Sequence, residues 1–310
     1  MLTNSLDIIL NTFQQNLEFI EKNIKAYQIY LICICLFQTT NTKKPIMNNK
    51  VIIFTDLDGS LLDRKKFHFG IAKQYIHELI ARGILLIPNT SKTEEEIKSF
   101  LKELNIKIPF ISENGSAIHN INLIKKTLPK KITLARPKKI IYKIFNKNID
   151  KSIIEKCDFV FKMTKKNQTK VLGLKCKKLE TSLQRKFTFP FVFKGSSKQK
   201  QILLNNSNKL GISFQEGGRV INLGDKVTKG LALKKIVKLL KQNEKKRLST
   251  IAVGDSINDI SMLKYSNYPC IISNRTIKIK NKNTLFTNKP APMGWITIVK
   301  QAMNKIEIRS

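Results

Sequence analysis

From residue 51 onward the chain alternates short, continuous apolar runs with polar stretches of helical period. Five runs, Val51–Phe54, Ile84–Ile87, Ile108–Ile111, Thr250–Val253 and Cys270–Ile272, are β-rich and unbroken. Such runs read as parallel strands buried on both faces. Between the first two, Ile71, Tyr75, Ile76, Leu79 and Ile80 recur at helical spacing and Gly83 stands at the stop position, which predicts a helix over 71–82. Between the next two, Thr93-Glu94-Glu95-Glu96 predicts a capping box that opens a helix through Ile97, Leu101 and Leu104. Strand, helix, strand, helix, strand is the order of an α/β domain, and right-handed crossovers make it a doubly wound parallel sheet.

The pattern breaks near residue 123 and returns near 223. The intervening stretch, 123–222, is rich in Lys and Asn with weak alternation, as in Lys-Ile-Ile-Tyr-Lys-Ile-Phe (139–145) and Phe-Thr-Phe-Pro-Phe-Val-Phe (187–193). It predicts an inserted α+β cap domain within a core made of 47–122 and 223–310. Residues 1–46 carry none of the motifs below, and Thr39 to Pro45 reads as a linker. Met47 stands four residues before the first strong strand and reads as the functional start, with 1–46 an N-terminal extension or an upstream mis-start.

A chain of 310 residues, 42% apolar and 25% charged, is long enough for two globular domains. Its formal charge of +35 would suggest a polyanion partner. The basic residues, however, are 49 lysines and eight arginines, spread from Lys22 to Arg309 with no aromatic-interleaved stripe. Lys, Asn and Ile share AT-rich codons, so base composition can inflate the charge without a polyanion partner, and no specific nucleic-acid partner is expected. Five cysteines, 33, 35, 157, 176 and 270, form no Cys-x-x-Cys pair and predict a reduced, cytoplasmic setting. The apolar run from Tyr27 to Phe37 is shorter than the roughly 20 residues a membrane span needs, so no membrane partner is expected.

In an open α/β sheet, ligands sit beyond the carboxyl ends of the strands. Four strand ends here carry polar signatures: Asp56-x-Asp58-Gly-Ser60, Asn89-Thr90-Ser91, Glu113-Asn114-Gly115 and Gly254-Asp255-x-x-Asn258-Asp259. Each alone reads as a turn, a cap or a Ca²⁺ loop. Together, each behind an apolar strand, they predict carboxylates gathered around Mg²⁺, which takes carboxylates, waters and a substrate phosphate as ligands. Asp56, Asp58 and Asp255 are candidate ligands. With the repulsion offset, Asp56 is a candidate nucleophile on phosphorus and Asp58 a candidate acid and base. Thr90 and a lysine would clamp the phosphoryl oxygens.

The chain resembles the haloacid dehalogenase (HAD) superfamily: Asp56-Leu57-Asp58-Gly59-Ser60 is similar to its first motif, Thr90 to its second, Lys229-Gly230 to its third and Gly254-Asp255-Ser256-Ile257-Asn258-Asp259 to its fourth. The insertion between the second and third motifs resembles a type II cap. The resemblance implies Asp56 as nucleophile, Asp58 as acid/base, and Asp255 with the Asp58 backbone carbonyl as Mg²⁺ ligands. It further implies Asp259 and Asn258 supporting metal and phosphate, and Lys229, or its rival Lys226, neutralising the phosphoryl group, with Ser91 beside Thr90 at the phosphate.

Further stretches, Asn89-Thr90-Ser91-Lys92-Thr93-x-x-Glu96, Ile111-Ser112-Glu113-Asn114-Gly115, Glu216-Gly217-Gly218-Arg219 with Gly224-Asp225-Lys226, and Pro292-x-Gly294-Trp295, resemble mannosyl-3-phosphoglycerate phosphatase. That resemblance implies a Mg²⁺-dependent phosphatase releasing mannosylglycerate, a compatible solute, through an aspartyl-phosphate. Arg219 would grip the substrate carboxylate, and Glu113 and Asn114 would meet the sugar. The open alternatives are a sucrose phosphate, a hexose phosphate or glucosyl-3-phosphoglycerate as substrate, and a non-catalytic basic binding protein on the same fold. One departure bears on the substrate: Phe189-Pro190 stands where the family usually shows Glu-Pro, and a phenylalanine accepts no hydrogen bond from a sugar.

Overall fold

The computed structural model describes residues 49–308, apart from 65–66, 217–218 and 242–246. The N-terminal extension, with Cys33 and Cys35, lies outside the described residues. Twelve strands are described: β1 (Asn49–Thr55), β2 (Leu85–Pro88), β3 (Phe110–Ser112), β4 (Ala117–His119), β5 (Lys131–Thr133), β6 (Cys157–Phe159), β7 (Phe189–Phe193), β8 (Ile212–Glu216), β9 (Ile221–Asp225), β10 (Arg247–Gly254), β11 (Tyr268–Ile272) and β12 (Leu285–Thr287).

Four of the five apolar runs become strands of one parallel sheet in the order β12-β11-β10-β1-β2. Ile53 pairs with Ile251 on one side and Leu86 on the other, and Val51 through Phe54 are buried, which is why the run shows no polar alternation. From β1 the chain moves to β2 on one side, while β10 to β12 lie on the other. The strand order therefore reverses between β1 and β10, and the crevice at that switch point receives whatever follows Thr55 and Gly254.

The two predicted helices form at Ala72–Ala81 and Glu94–Leu104. In the second, Thr93 and Glu96 cap each other reciprocally, and Ile97, Leu101 and Leu104 are buried at the expected spacing. The helix Met293–Glu307 closes the chain and buries Trp295 completely, its ring edge-on to Tyr75. The Trp295 indole donates to Thr55 Oγ1 at 2.9 Å, one residue before Asp56.

The third run departs from the expectation of a further parallel strand. It forms β3, which pairs antiparallel with β4 in the small sheet β3-β4-β5 and meets β2 through one parallel bridge, Asn89 to Ile111. The cause is local. Glu113 (φ +46°), Asn114 (φ +59°) and Gly115 (φ +99°) are all left-handed and turn the chain back at once. A side chain at 115 would place Cβ 2.2 Å from the Thr228 carbonyl oxygen, so glycine is required there.

Most of the inserted stretch builds a four-stranded antiparallel sheet, β6-β7-β9-β8, whose strand β9 runs on to Asp225, while β5 within that stretch pairs with β4. One face carries Phe189, Phe191, Ile212 and Leu223, packed on Phe159 and on Ile141 and Phe145 of the helix Lys138–Asn148. Of the two weakly alternating stretches, 187–193 contains the strand β7 from Phe189 onward and 139–145 lies within that helix. Phe189 sits 5.0 Å from both Tyr142 and Phe161, ring to ring. Phe189 therefore belongs to the aromatic interior of the cap.

Candidate active site

Asp56 follows β1 directly, and its N–H donates to the Val253 carbonyl at 2.9 Å, which ties it to the neighbouring strand end. The turn behind it holds Gly59 at φ +87°, where a Cβ would stand 2.6 Å from Asp255 Oδ2. A glycine there lets the first turn press against the fourth motif.

Asp56, Asp255 and Asp259 are buried, and each offers an oxygen within 4.8 Å of the others. Lys229, at the first turn of the helix Lys229–Lys241, reaches between them with Nζ 2.6 Å from Asp56 Oδ1 and 2.6 Å from Asp259 Oδ1. The other Asp259 oxygen accepts from the Asp255 and Ser256 N–H groups, each at 3.0 Å. Ser60 Oγ donates to Asp255 Oδ1 at 2.9 Å, and the Arg64 guanidinium holds Oδ2. Lys226, by contrast, is exposed.

Burial pushes the Asp56 carboxyl up to about 8, with Asp259 and Asp255 reinforcing it and Lys229 opposing. Asp255 is raised by burial and Asp259 against the pull of Arg64. Burial works to lower the Lys229 ammonium, but Asp259 and Asp56 outweigh it and hold the group above its ordinary value. Three buried carboxylates against Lys229 and the end of Arg64 that reaches Asp255 leave the cluster short of positive charge. An all-oxygen donor set of that size and sign fits a hard divalent cation such as Mg²⁺.

The Asp58 side chain stands apart from this trio. Its Oδ2 pairs with Lys92 Nζ at 2.8 Å, and its Oδ1 is buried with no protein partner. Thr90 is buried and hydrogen-bonded through its backbone to Ile111 and Asn114, at 3.2 and 2.9 Å. Asn114 accepts from Asn258 Nδ2 at 3.2 Å, which joins the third and fourth motif loops.

Glu113 is committed to the cap: its carboxylate accepts from the Lys186, Phe187 and Thr188 N–H groups and from the Thr188 hydroxyl, at 2.7 to 3.1 Å. Arg219 is exposed, donates to the Leu172 carbonyl and lies over the Phe67 ring.

A cavity of about 560 Å³ lies between the core motifs and the cap. Asp56, Asp58, Asp255, Ser91 and Asn258 line it from the core, and Arg185, Arg219 and Asn222 from the cap. Lys229, Thr90, Glu113 and Asn114 stand behind that lining, and Asp259 lies beneath it with Lys229. Sequence reasoning missed Arg64, Lys92, Arg185 and Asn222. Lys92 was the most findable, two residues after Thr90, whereas Arg185 and Asn222 become visible only once the cap sheet is oriented.

A model of the haloacid dehalogenase-like hydrolase family matches residues 53–294. A glucosyl-3-phosphoglycerate/mannosyl-3-phosphoglycerate phosphatase of Persephonella marina is 30% identical over 83% of this chain and 98% of its own. Another protein of that name, from Methanococcoides burtonii, is 26% identical over the same shares. Similar solved structures include a haloacid dehalogenase-like hydrolase of B. subtilis, with a TM-score of 0.59, 18% identity and coverage of 82% of this chain and 98% of that one. The sucrose-phosphatase of Synechocystis, solved with sucrose and phosphate, gives a TM-score of 0.54 at 11% identity, covering 84% of this chain and 98% of its own.

Proposed function

Since this chain belongs to the haloacid dehalogenase-like hydrolases and is a phosphoric monoester hydrolase, we propose that it dephosphorylates a glycosyl-3-phosphoglycerate, mannosyl or glucosyl, in a Mg²⁺-dependent reaction. The product would be mannosylglycerate or its glucosyl counterpart. The observation that carries the proposal is the Asp56–Lys229–Asp259–Asp255 cluster at the sheet's switch point, set under a cavity closed by a cap. The relatives named for this reaction, matched over 83% of the chain, support the choice of substrate.

In this reading Asp56 attacks phosphorus, the phosphorus–alkoxide bond breaks, and an aspartyl-phosphate forms on Asp56. Asp58 gives its proton to the departing alkoxide, then takes one from the water that hydrolyses the acyl phosphate. Lys229 holds the Asp56 carboxylate in place and offsets charge on the transferring group. Asp56, Asp255, Asp259 and the Asp58 carbonyl would hold Mg²⁺, which when bound supplies charge neutralisation for the phosphoryl oxygens. The residues 123–222 act as a cap domain that selects substrate and excludes water during transfer.

The test is phosphate release from mannosyl- and glucosyl-3-phosphoglycerate, with and without Mg²⁺, beside glucose 6-phosphate and sucrose 6-phosphate. A Mg²⁺-dependent preference for the glycosyl-phosphoglycerates is expected. Equal or faster turnover of the plain sugar phosphates overturns the substrate, and full activity in a chelator overturns the metal.

A further inference from the structure

Among the described residues, five buried side-chain nitrogen or oxygen atoms have no hydrogen-bond partner in the protein. Three of them, Asp58 Oδ1, Arg185 Nε and Asn222 Oδ1, belong to residues that line the one cavity above Asp56. Packing faults would scatter through the fold, whereas orphaned groups converging on one cavity mark what it is built to bind.

Strand alternation explains how Asn222 gets there. Its neighbours Ile221 and Leu223 pack into the aromatic interior of the cap, so Asn222 projects from the opposite face of β9 towards the core motifs. It is 4% exposed. Arg185 reaches the same space from the segment before β7. Its Nη1 is fixed by the Ser91 carbonyl at 3.2 Å and Thr188 Oγ1 at 3.0 Å, and Thr188 is in turn bonded to Glu113. The guanidinium plane is thereby oriented, with Nε buried and without a protein partner. Of the five acidic residues that line the cavity, Asp56, Asp58 and Asp255 belong to the core motifs and the other two are engaged elsewhere: Glu96 accepts from the Thr93 N–H and Glu216 pairs with Lys200.

We propose that Arg185 and Asn222 form a subsite in the cap that reads the alcohol half of the phosphomonoester, Arg185 Nε–H donating to a carboxylate and Asn222 Oδ1 accepting from a hydroxyl. The inference rests on the substrate reading above and deepens it: the substrate class is a phosphomonoester whose leaving alcohol carries both a carboxylate and free hydroxyls. A planar fork matches a carboxylate in a way that a lysine ammonium does not. Arg219, exposed and already donating to Leu172, is then a rim residue.

The experiment measures kcat/KM ratios on the full chain, so that a loss of folded enzyme cancels. The carboxylate ratio compares 3-phosphoglycerate with glycerol 3-phosphate, and the hydroxyl ratio compares glucosyl-3-phosphoglycerate with 3-phosphoglycerate. Arg185→Gln and Arg185→Lys should each lower the first ratio about tenfold to a hundredfold, as expected for one charge-assisted hydrogen bond, and Arg219→Gln should lower it far less. Asn222→Ala should lower the second ratio about threefold to tenfold. A wild-type carboxylate ratio near one, or a larger fall in Arg219→Gln than in Arg185→Gln, overturns the Arg185 assignment. A wild-type hydroxyl ratio near one, or one that Asn222→Ala leaves unchanged, overturns the Asn222 assignment. If the carboxylate ratio depends on Arg185 while the preferred substrate is another carboxylate-bearing phosphate, the subsite stands and the glycosyl-phosphoglycerate reading falls.

Discussion

At the floor of the cavity, Lys229 is gripped by two carboxylates at 2.6 Å each, and Asp255 and Asp259 are held by hydroxyl, guanidinium and backbone donors. In the cap wall above, Asn222 is buried and Arg185 half-buried, and each keeps a buried polar atom without a protein partner. The floor is preorganised, its charges fixed before substrate arrives, which is what electrostatic catalysis of phosphoryl transfer demands. The wall keeps unspent hydrogen-bonding capacity, which is what discrimination between leaving alcohols demands. In the proposed reading, chemistry and recognition occupy opposite sides of one space.

The largest effect expected from breaking this division is at Asp56. Asp56→Asn keeps the shape and loses the nucleophile, so turnover should fall by about a thousandfold or more on every phosphomonoester alike. Steady-state phosphate release checks it. A variant retaining more than about a tenth of the wild-type rate would show that no covalent step passes through Asp56. Equal loss across substrates is the signature of a floor residue, in contrast to the ratio changes expected of the wall.

The floor was legible in the sequence because a parallel sheet concentrates its chemistry at strand ends: the motifs behind the first and fourth apolar runs already held Asp56, Asp255 and Asp259, and the family resemblance added Lys229. The wall was not. Period-two alternation in 187–193 shows that Phe189 and Phe191 share a face, but alternation is symmetric and cannot say which face meets the core. Phe189 therefore read as a substrate position, while the aromatic cluster around Tyr142 and Phe161 claims it. The same limit hid Asn222 and Arg185. The antiparallel turn after β3 was missed for a different reason, since two consecutive left-handed residues that are not glycine leave little trace in composition.

Glu113 bridges the two sides, and a smaller effect is expected there. Its carboxylate accepts four hydrogen bonds from 186–188, three of them backbone N–H groups. Glu113→Gln turns one acceptor oxygen into an amide donor that faces those N–H groups. A loss of about 2 kcal/mol in urea unfolding is expected, with faster proteolysis near 185–188. An unchanged midpoint and digestion pattern would show that the floor and the wall are joined elsewhere.

An effect of similar size, confined to acid, separates the join around Glu94 and His119 from the site by pH. His119 on β4 stacks on Phe110, hydrogen-bonds Ser112 and faces Glu94 at 3.7 Å, with Lys131, Lys186 and Lys98 nearby. Burial pulls its pKa from 6.5 down to about 4, an effect that Glu94 opposes. A depressed histidine is bound neutral in the fold and takes up a proton more readily when unfolded. Its contribution is therefore complete above about 6.5 and is lost as pH falls towards 4. Glu94 is held low, at about 2, where burial is outweighed by hydrogen bonds from Lys98 and Lys186, so its contribution persists until the pH falls below 4.5. Between pH 6.5 and 4.5 the wild type should therefore lose about 2 kcal/mol more stability than His119→Gln, measured by urea unfolding at the two pH values. Parallel losses in both proteins would move the acid sensitivity from this join to the carboxylates of the floor.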